Sequence, residues 1–354
     1  MATRSPTDDR GRIRVTGFDA STVQDRERFE WDTARDATSD TATGRREKAW
    51  RRFKQNRTAL FGLAVIAVML FVAVFATRIT LTTFTVPFAD VTVNFGGITV
   101  QPISLAPYDP GQSYFDAAKE PPSPAHPFGT TELGKDLLSR IMVGGRYSLS
   151  IGVIAVGLAL AVGVPMGAIA GYFGGWVDEL IMRFVDILYA FPVLVLAIAI
   201  IAVLGNGFWN LILAIVIVSW IGYARVIRGE ILSVKENEYV TAAKALGARD
   251  RSIIFRHIVP NAIAPVIVQA TLGIGTIVLG AAALGFLGLG LEPGSPEWGS
   301  MLSSGRSTLI EGMWWITVFP GLAIFLFVLS INLVGDGVRD ALDPQDQGGE
   351  GRIR

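Results

Sequence analysis

Cysteine is absent from the 354-residue chain. Its absence removes disulfides, thiolate metal sites and cysteine nucleophiles together. Only two histidines occur, His126 and His257, too few for a histidine-built metal centre. Charge is scarce as well: 18% of residues are Asp, Glu, Lys or Arg, against about a quarter in ordinary soluble domains. Acidic and basic residues balance at 31 each, so no bulk electrostatic case exists for a nucleic-acid partner. The N-terminus also lacks the short basic segment and early apolar core of a secretory signal. Residues 1–44 are instead polar and mixed in charge (TDDRGRIR, ERFEWDTARDATSDTATG), a composition that reads as a disordered extension.

What is present is hydrophobic, 51% of the chain. A helix needs about 20 mainly apolar residues to cross the hydrocarbon core of a bilayer. Six runs qualify: Ala59–Ala76, Tyr147–Gly171, Ile187–Leu204, Phe208–Tyr223, Ala262–Leu291 and Met313–Val334. The third and fourth are separated by Gly205-Asn206-Gly207, a tight turn that makes them an antiparallel pair. None of the six contains Asp, Glu, Lys, Arg or His. Carriers driven by protons or sodium usually keep such groups in the membrane, so the energy for any transport enters from elsewhere.

Orientation follows from Lys and Arg in the flanks. RREKAWRRFKQNR precedes the first run, and Arg225, Arg228, Lys235, Lys244, Arg249, Arg251 and Arg256 lie between the fourth and fifth. An even number of spans puts both segments, and both termini, on the cytoplasmic side. The turn at 205–207 and the loop 292–312 then lie outside, with Arg306 as their one basic residue.

GTTELGKD (residues 129–136) imitates a phosphate-binding P-loop, G-x-x-x-x-G-K-[ST], with Asp136 where the magnesium-holding hydroxyl belongs. It falls outside the cell, follows the proline-rich KEPPSPAHPF rather than a buried strand, and would set a carboxylate against phosphate. The nucleotide reading fails on each count. The outer segment 78–144 holds VTVNFGGITV (Val91–Val100), whose alternation around Gly96-Gly97 predicts a β-hairpin. Leu133, Leu137, Leu138 and Ile141 recur at helical spacing among charged residues, which predicts an amphipathic helix over 131–144 lying on the membrane. Gly163, Gly167 and Gly171, four apart, form a stripe on which another helix can approach closely.

The segment ENEYVTAAKALGARDRSIIFRHIVPN (Glu236–Asn261) predicts two short helices. Tyr239, Ala243 and Leu246 share one face of the first. Gly247 sits where a helix C-terminus favours a left-handed residue, Asp250 can cap the second, and Pro260 precedes the fifth run. Such a knob is either a plain elbow between spans or a docking device.

This segment resembles the loop of the membrane subunits of binding-protein-dependent ABC importers, whose pattern is E-A-A, three residues, Gly, nine residues, I-x-L-P. Thr241-Ala242-Ala243, Gly247, His257, Val259 and Pro260 occupy those places. Thr241, His257 and Val259 depart from the pattern, the first two in the manner of peptide importers. RRFKQNRTALFGL, APYDP, HPFGTTELGKDLLSR, FLGLGLEPGSPEWGSML and LVGDGVRDALDP are likewise similar to the second permease subunit of dipeptide and oligopeptide importers, in order from about residue 45 to 344. The N-terminal extension, an insertion over about 77–105, and Gly294 in place of a second proline depart from it.

The resemblance implies an all-α integral membrane protein with six transmembrane helices of the type I ABC importer permease fold. The permease domain is expected over 145–336, a cytoplasmic tail over 337–354. It implies a homologous second permease subunit, two ATP-binding subunits that hold the ATP and magnesium, and an extracytoplasmic solute-binding protein. The chain itself would bind no cofactor or metal and do no covalent chemistry. Glu238, Thr241, Ala242, Ala243, Gly247, Arg249, Asp250, Arg256, His257 and Pro260 would couple it to the ATPases. The expected solute is a dipeptide or oligopeptide; relatives with this signature also import nickel chelates, sugars or glutathione. A gradient-driven carrier and a membrane-anchored enzyme are the rival readings, opposed by the uncharged spans and by the want of a catalytic constellation.

Overall fold

A computed structural model describes residues 42–77, 79–85, 92–101 and 103–342; the extension over 1–41 and the tail beyond 342 lie outside them. The chain divides into two units, residues 1–52 and 53–354. In the first, the described residues belong to helix α1 (Ala42–Gln55). The second holds everything below.

Asn56 opens helix α2 (Arg57–Phe75), its side chain accepting from the Ala59 amide at 3.0 Å as helix N-caps do. Strands β1 (Ile79–Thr85) and β2 (Thr92–Gln101) then pair antiparallel. A hairpin is therefore present, but Gly96 and Gly97 lie inside β2 and not at its turn. The alternation that suggested two short strands belongs to one long one.

Helix α3 runs Leu137–Phe173, about 55 Å at 1.5 Å per residue. The expected surface helix over 131–144 does not form. Gly134 adopts φ +71° with Tyr114 directly beneath it, and the chain becomes helical only at Leu137. Asp136 and Arg140, expected on a wetted face, are buried. Asp136 caps α3: its Oδ2 accepts from the Ser139 amide (2.8 Å) and hydroxyl (2.7 Å), and His126 Nδ1 donates to its Oδ1 at 2.9 Å. The residue that spoiled the P-loop pattern is thus a helix cap.

The third expected span is broken. Helix α4 (Gly175–Tyr189) and helix α5 (Val193–Leu204) meet at 86°, with Pro192 opening α5 and disfavouring helical backbone before it. Alone, α5 covers about 18 Å, short of the bilayer's hydrocarbon thickness; only together with α4 does the apolar length reach that of a span. Helix α6 (Phe208–Val234) returns antiparallel to α5 and packs along α3. After the loop helices described below come α10 (Ala264–Phe286), α11 (Trp298–Ile310) and α12 (Trp315–Leu342). Among the described residues, helices α2, α3, α6, α10 and α12 are long and apolar enough to cross a membrane, and the bent pair counted as one span brings the number to six. Spans two, four and six outrun their predicted ends because these helices continue as polar or buried-charge turns beyond the apolar run.

Two larger apolar clusters, beside a small one at Ala59 and Val334, hold the bundle. One joins α3, α5, α6 and α10 through Ile151, Ile201, Ile212, Ile227 and Leu284. The other gathers α3, α10, α11 and α12 around Leu137, Trp298 and Phe327. The glycine stripe lies on the α3–α6 seam, where a Cβ at Gly167 would sit 2.1 Å from Ala224 O. At one end, Trp315 Nε1 donates to Thr130 O (3.1 Å) and Phe128 stacks on Phe319 at 4.1 Å, tying the 103–136 segment to α12. There Lys119, 2.9 Å from Glu311, has its ammonium pKa raised by that hydrogen bond and charge.

Candidate functional site

The opposite end carries the loop 235–263. Helix α7 (Glu238–Ala245) is followed by α8 (Asp250–Ser252), a π-helical turn over Ile253–Ile258 and α9 (Val259–Ala262). Gly247 has φ +77° and reverses the chain between the two halves, as a left-handed C-cap glycine does. Val240 is fully buried and Ala243 packs behind it, while Tyr239 and Leu246 are exposed, Leu246 at 88%. The inward face of α7 is therefore Val240 and Ala243. The spacing that grouped Tyr239 with Leu246 found the helix but not its facing.

Ile253, Ile254 and Ile258 drive the second half into the bundle core. The π turn has a local cause. Pro260 has no amide hydrogen and its ring would meet the carbonyl four residues back, so the Val259 amide bonds the Ile254 carbonyl five back. Asn261 Nδ2 donates to His257 O (2.7 Å), satisfying a carbonyl that the irregular turn exposes. His257 itself is half-buried and faces no metal-like cluster; among the described residues no group of His, Asp and Glu could hold a metal ion.

Asp250, expected as a helix cap, lies inside the first turn after Arg249. Its Oδ1 accepts from the Tyr172 hydroxyl at 2.6 Å, a contact no spacing rule anticipates. Lys244 Nζ stands 5.1 Å over the Tyr172 ring, and Lys235 Nζ donates to Gly171 O at 3.1 Å. The loop is thus fastened to the end of α3. Two further braces fix α4 beside it: Arg228 bonds Asp178 through Nε and Nη2, both at 2.5 Å, and Arg225 reaches Asp186 at 2.5 Å while lying 4.3 Å over the Tyr189 ring.

Glu238, Thr241, Ala242, Gly247, Arg249, Asp250, Arg256 and Pro260 are all exposed. Arg249, Arg251, Ser252, Phe255 and Arg256 line a shallow basic hollow of about 450 Å³. The arrangement is an apolar-rooted, charge-rimmed knob, rigid at its base and bare at its tip.

A bundle with five apolar spans, six with the bent pair, defines an integral membrane protein of the permease kind. The chain belongs to the binding-protein-dependent transport system inner membrane components, whose family model matches residues 163–345. A second model, the N-terminal TM domain of oligopeptide transport permease C, matches residues 45–122. The dipeptide transport system permease protein DppC of Alkalihalophilus pseudofirmus is 43% identical over 305 residues, covering 86% of this chain and 91% of that one. The glutathione transport system permease protein GsiD of Escherichia coli is 42% identical over 301 residues, covering 84% and 90%. The chain is therefore a multi-pass inner-membrane permease subunit of a binding-protein-dependent importer.

Proposed function

We propose that the chain is the second permease subunit of an ATP-driven importer of dipeptides and oligopeptides. It pairs with a homologous permease about a pseudo-twofold axis, and the solute path lies between the two. The knob at 235–263 faces the cytoplasm and docks on one of two ATPase subunits, which bind the ATP and magnesium. Both termini lie on that side, and the end carrying β1, β2 and α11 faces the solute-binding protein. In this division residues 145–336 are the permease domain.

The observation that carries the reading is the fastening of an exposed tip to a buried root. A push on Leu246, Gly247 or Arg249 is transmitted through Asp250 to Tyr172 and so to α3, and through Ile253, Ile254 and Ile258 to the core that α3 shares with α6 and α10. Likeness to a dipeptide permease supports the peptide as solute. Glutathione is itself a small peptide, so the second relative favours the same solute class.

The natural absence of cysteine makes the test direct. Leu246→Cys should react with a membrane-impermeant maleimide from the cytoplasmic side alone, and Ile310→Cys, 92% exposed at the other end, from outside alone. Bound ATPase should shield position 246. Reversed labelling contradicts the orientation, and unshielded labelling contradicts the docking.

A further inference from the structure

Between the start of α3, the loop 288–295 and α11 lies a cavity of about 350 Å³ at the end opposite the knob. Arg140 lines it. This guanidinium is only 6% exposed, and no carboxylate pairs with it among the described residues. Its Nη1 donates to Pro110 O at 3.0 Å, and its Nη2 to Gly294 O at 3.0 Å and Ser295 O at 3.4 Å. Its Nε finds no partner at all. A buried cation held by carbonyl dipoles alone is costly unless an anion completes it.

The buried carboxylate behind the cavity is already taken. Glu297 lies beneath the cavity wall, but its Oε1 accepts from Gly299 N (2.8 Å) and Ser148 Oγ (3.3 Å), its Oε2 from Ser300 N (2.8 Å) and Ser300 Oγ (3.0 Å). Lys135, Thr131 and Ser303 add further donors to the lining, and Glu132 at the rim is the one opposing charge there. The space suits a small polar group rather than a nucleotide.

We propose that this cavity is a carboxylate-binding subsite, filled by the free C-terminal carboxylate of a short peptide or by a small organic acid. The peptide as source rests on the function proposed above; the carboxylate chemistry does not. Lys135 and the Ser303 hydroxyl, both on the lining, supply the donors to the anion beside the buried Arg140 charge, while the guanidinium's Nη hydrogens stay on the loop carbonyls. Occupancy would then register on the loop 293–295, since the same guanidinium holds it.

The test uses the whole transporter in lipid nanodiscs, free of ATP and of binding protein. Binding of labelled tri-alanine, tri-alanine amide and acetate is measured to the wild type and to Ser303→Phe and Lys135→Glu, two changes that leave the Arg140 clamp in place. Tri-alanine should bind about tenfold or more tightly than its amide, the worth of one charge-assisted hydrogen bond, and both variants should lose that margin. Acetate binding that Ser303→Phe abolishes, without binding of tri-alanine, would also support the subsite and assign it to a small acid. Equal binding of acid and amide, wild-type binding by Ser303→Phe, or no binding of any probe would overturn it. Uptake of tri-alanine with the binding protein present is scored separately. Its failure alone strikes the peptide reading, because acetate binding still reports on the subsite.

Discussion

Replacing Gly167 with alanine should do more damage than the same change at Gly163 or Gly171, though all three lie on one stripe. The new Cβ would stand 2.1 Å from Ala224 O and 2.5 Å from Ile227 Cγ2 at position 167. At 163 the nearest atom is Trp220 O at 2.6 Å, and at 171 it is Arg228 O at 3.0 Å. Carbon atoms in comfortable contact sit about 3.5–4.0 Å apart, and backbone carbonyls cannot swing away as a side-chain tip can. Helix α6 must therefore retreat by more than about 1 Å at Gly167, but by only a few tenths at Gly171. Overpacking of this kind costs about 1–3 kcal/mol, with 167 at the upper end, 163 between and 171 at the lower end. The assay is the thermal unfolding midpoint of the purified complex in lipid, followed by tryptophan fluorescence, since Trp220 lies on this seam. A midpoint lowered as much by Gly171→Ala as by Gly167→Ala would refute the close-contact reasoning.

Other expectations concern the knob and the helix cap. Gly247→Arg should abolish uptake while the complex still assembles. A Cβ there meets nothing within 4 Å, and left-handed backbone costs a non-glycine residue about 1–2 kcal/mol locally; normal uptake would contradict the coupling role. Tyr172→Phe keeps the ring beneath Lys244 but removes the 2.6 Å bond to Asp250. More ATP should then be hydrolysed per molecule imported, at a stability loss of about 0.5–1.5 kcal/mol; an unchanged ratio would show that the push travels by another route. Asp136→Ala strips α3 of its cap and leaves His126 without its carboxylate, which should destabilise the complex by about 1–3 kcal/mol. Chemical unfolding measures that loss, and a wild-type transition would contradict it.

Much of this could be read from the residues in order, because the strongest signals are local. Apolar runs gave the spans, and Gly247 marked the reversal inside the knob, since both depend on a few consecutive positions. What escaped depends on distant partners. Asp136 looked like a defect in a nucleotide loop, whereas its neighbours in space, His126 and Ser139, make it a cap. The bend between Tyr189 and Val193 hid inside an unbroken apolar stretch, although Pro192 was the available signal. Tyr172 gave no sign at all: its partner Asp250 lies 78 residues away, and no period links them. The facing of α7 was not legible, because 3.6-residue spacing fixes which residues share a side, and only packing decides which side goes in.

Coupling of the knob to an ATPase is the central claim, and ATP hydrolysis by the chain purified with its partner subunits in lipid tests it most directly. The rate should rise when a peptide-loaded binding protein is added, and the rise should vanish in Gly247→Arg. A chain that purifies alone and moves solute down an ion gradient, with hydrolysis playing no part, would contradict the account.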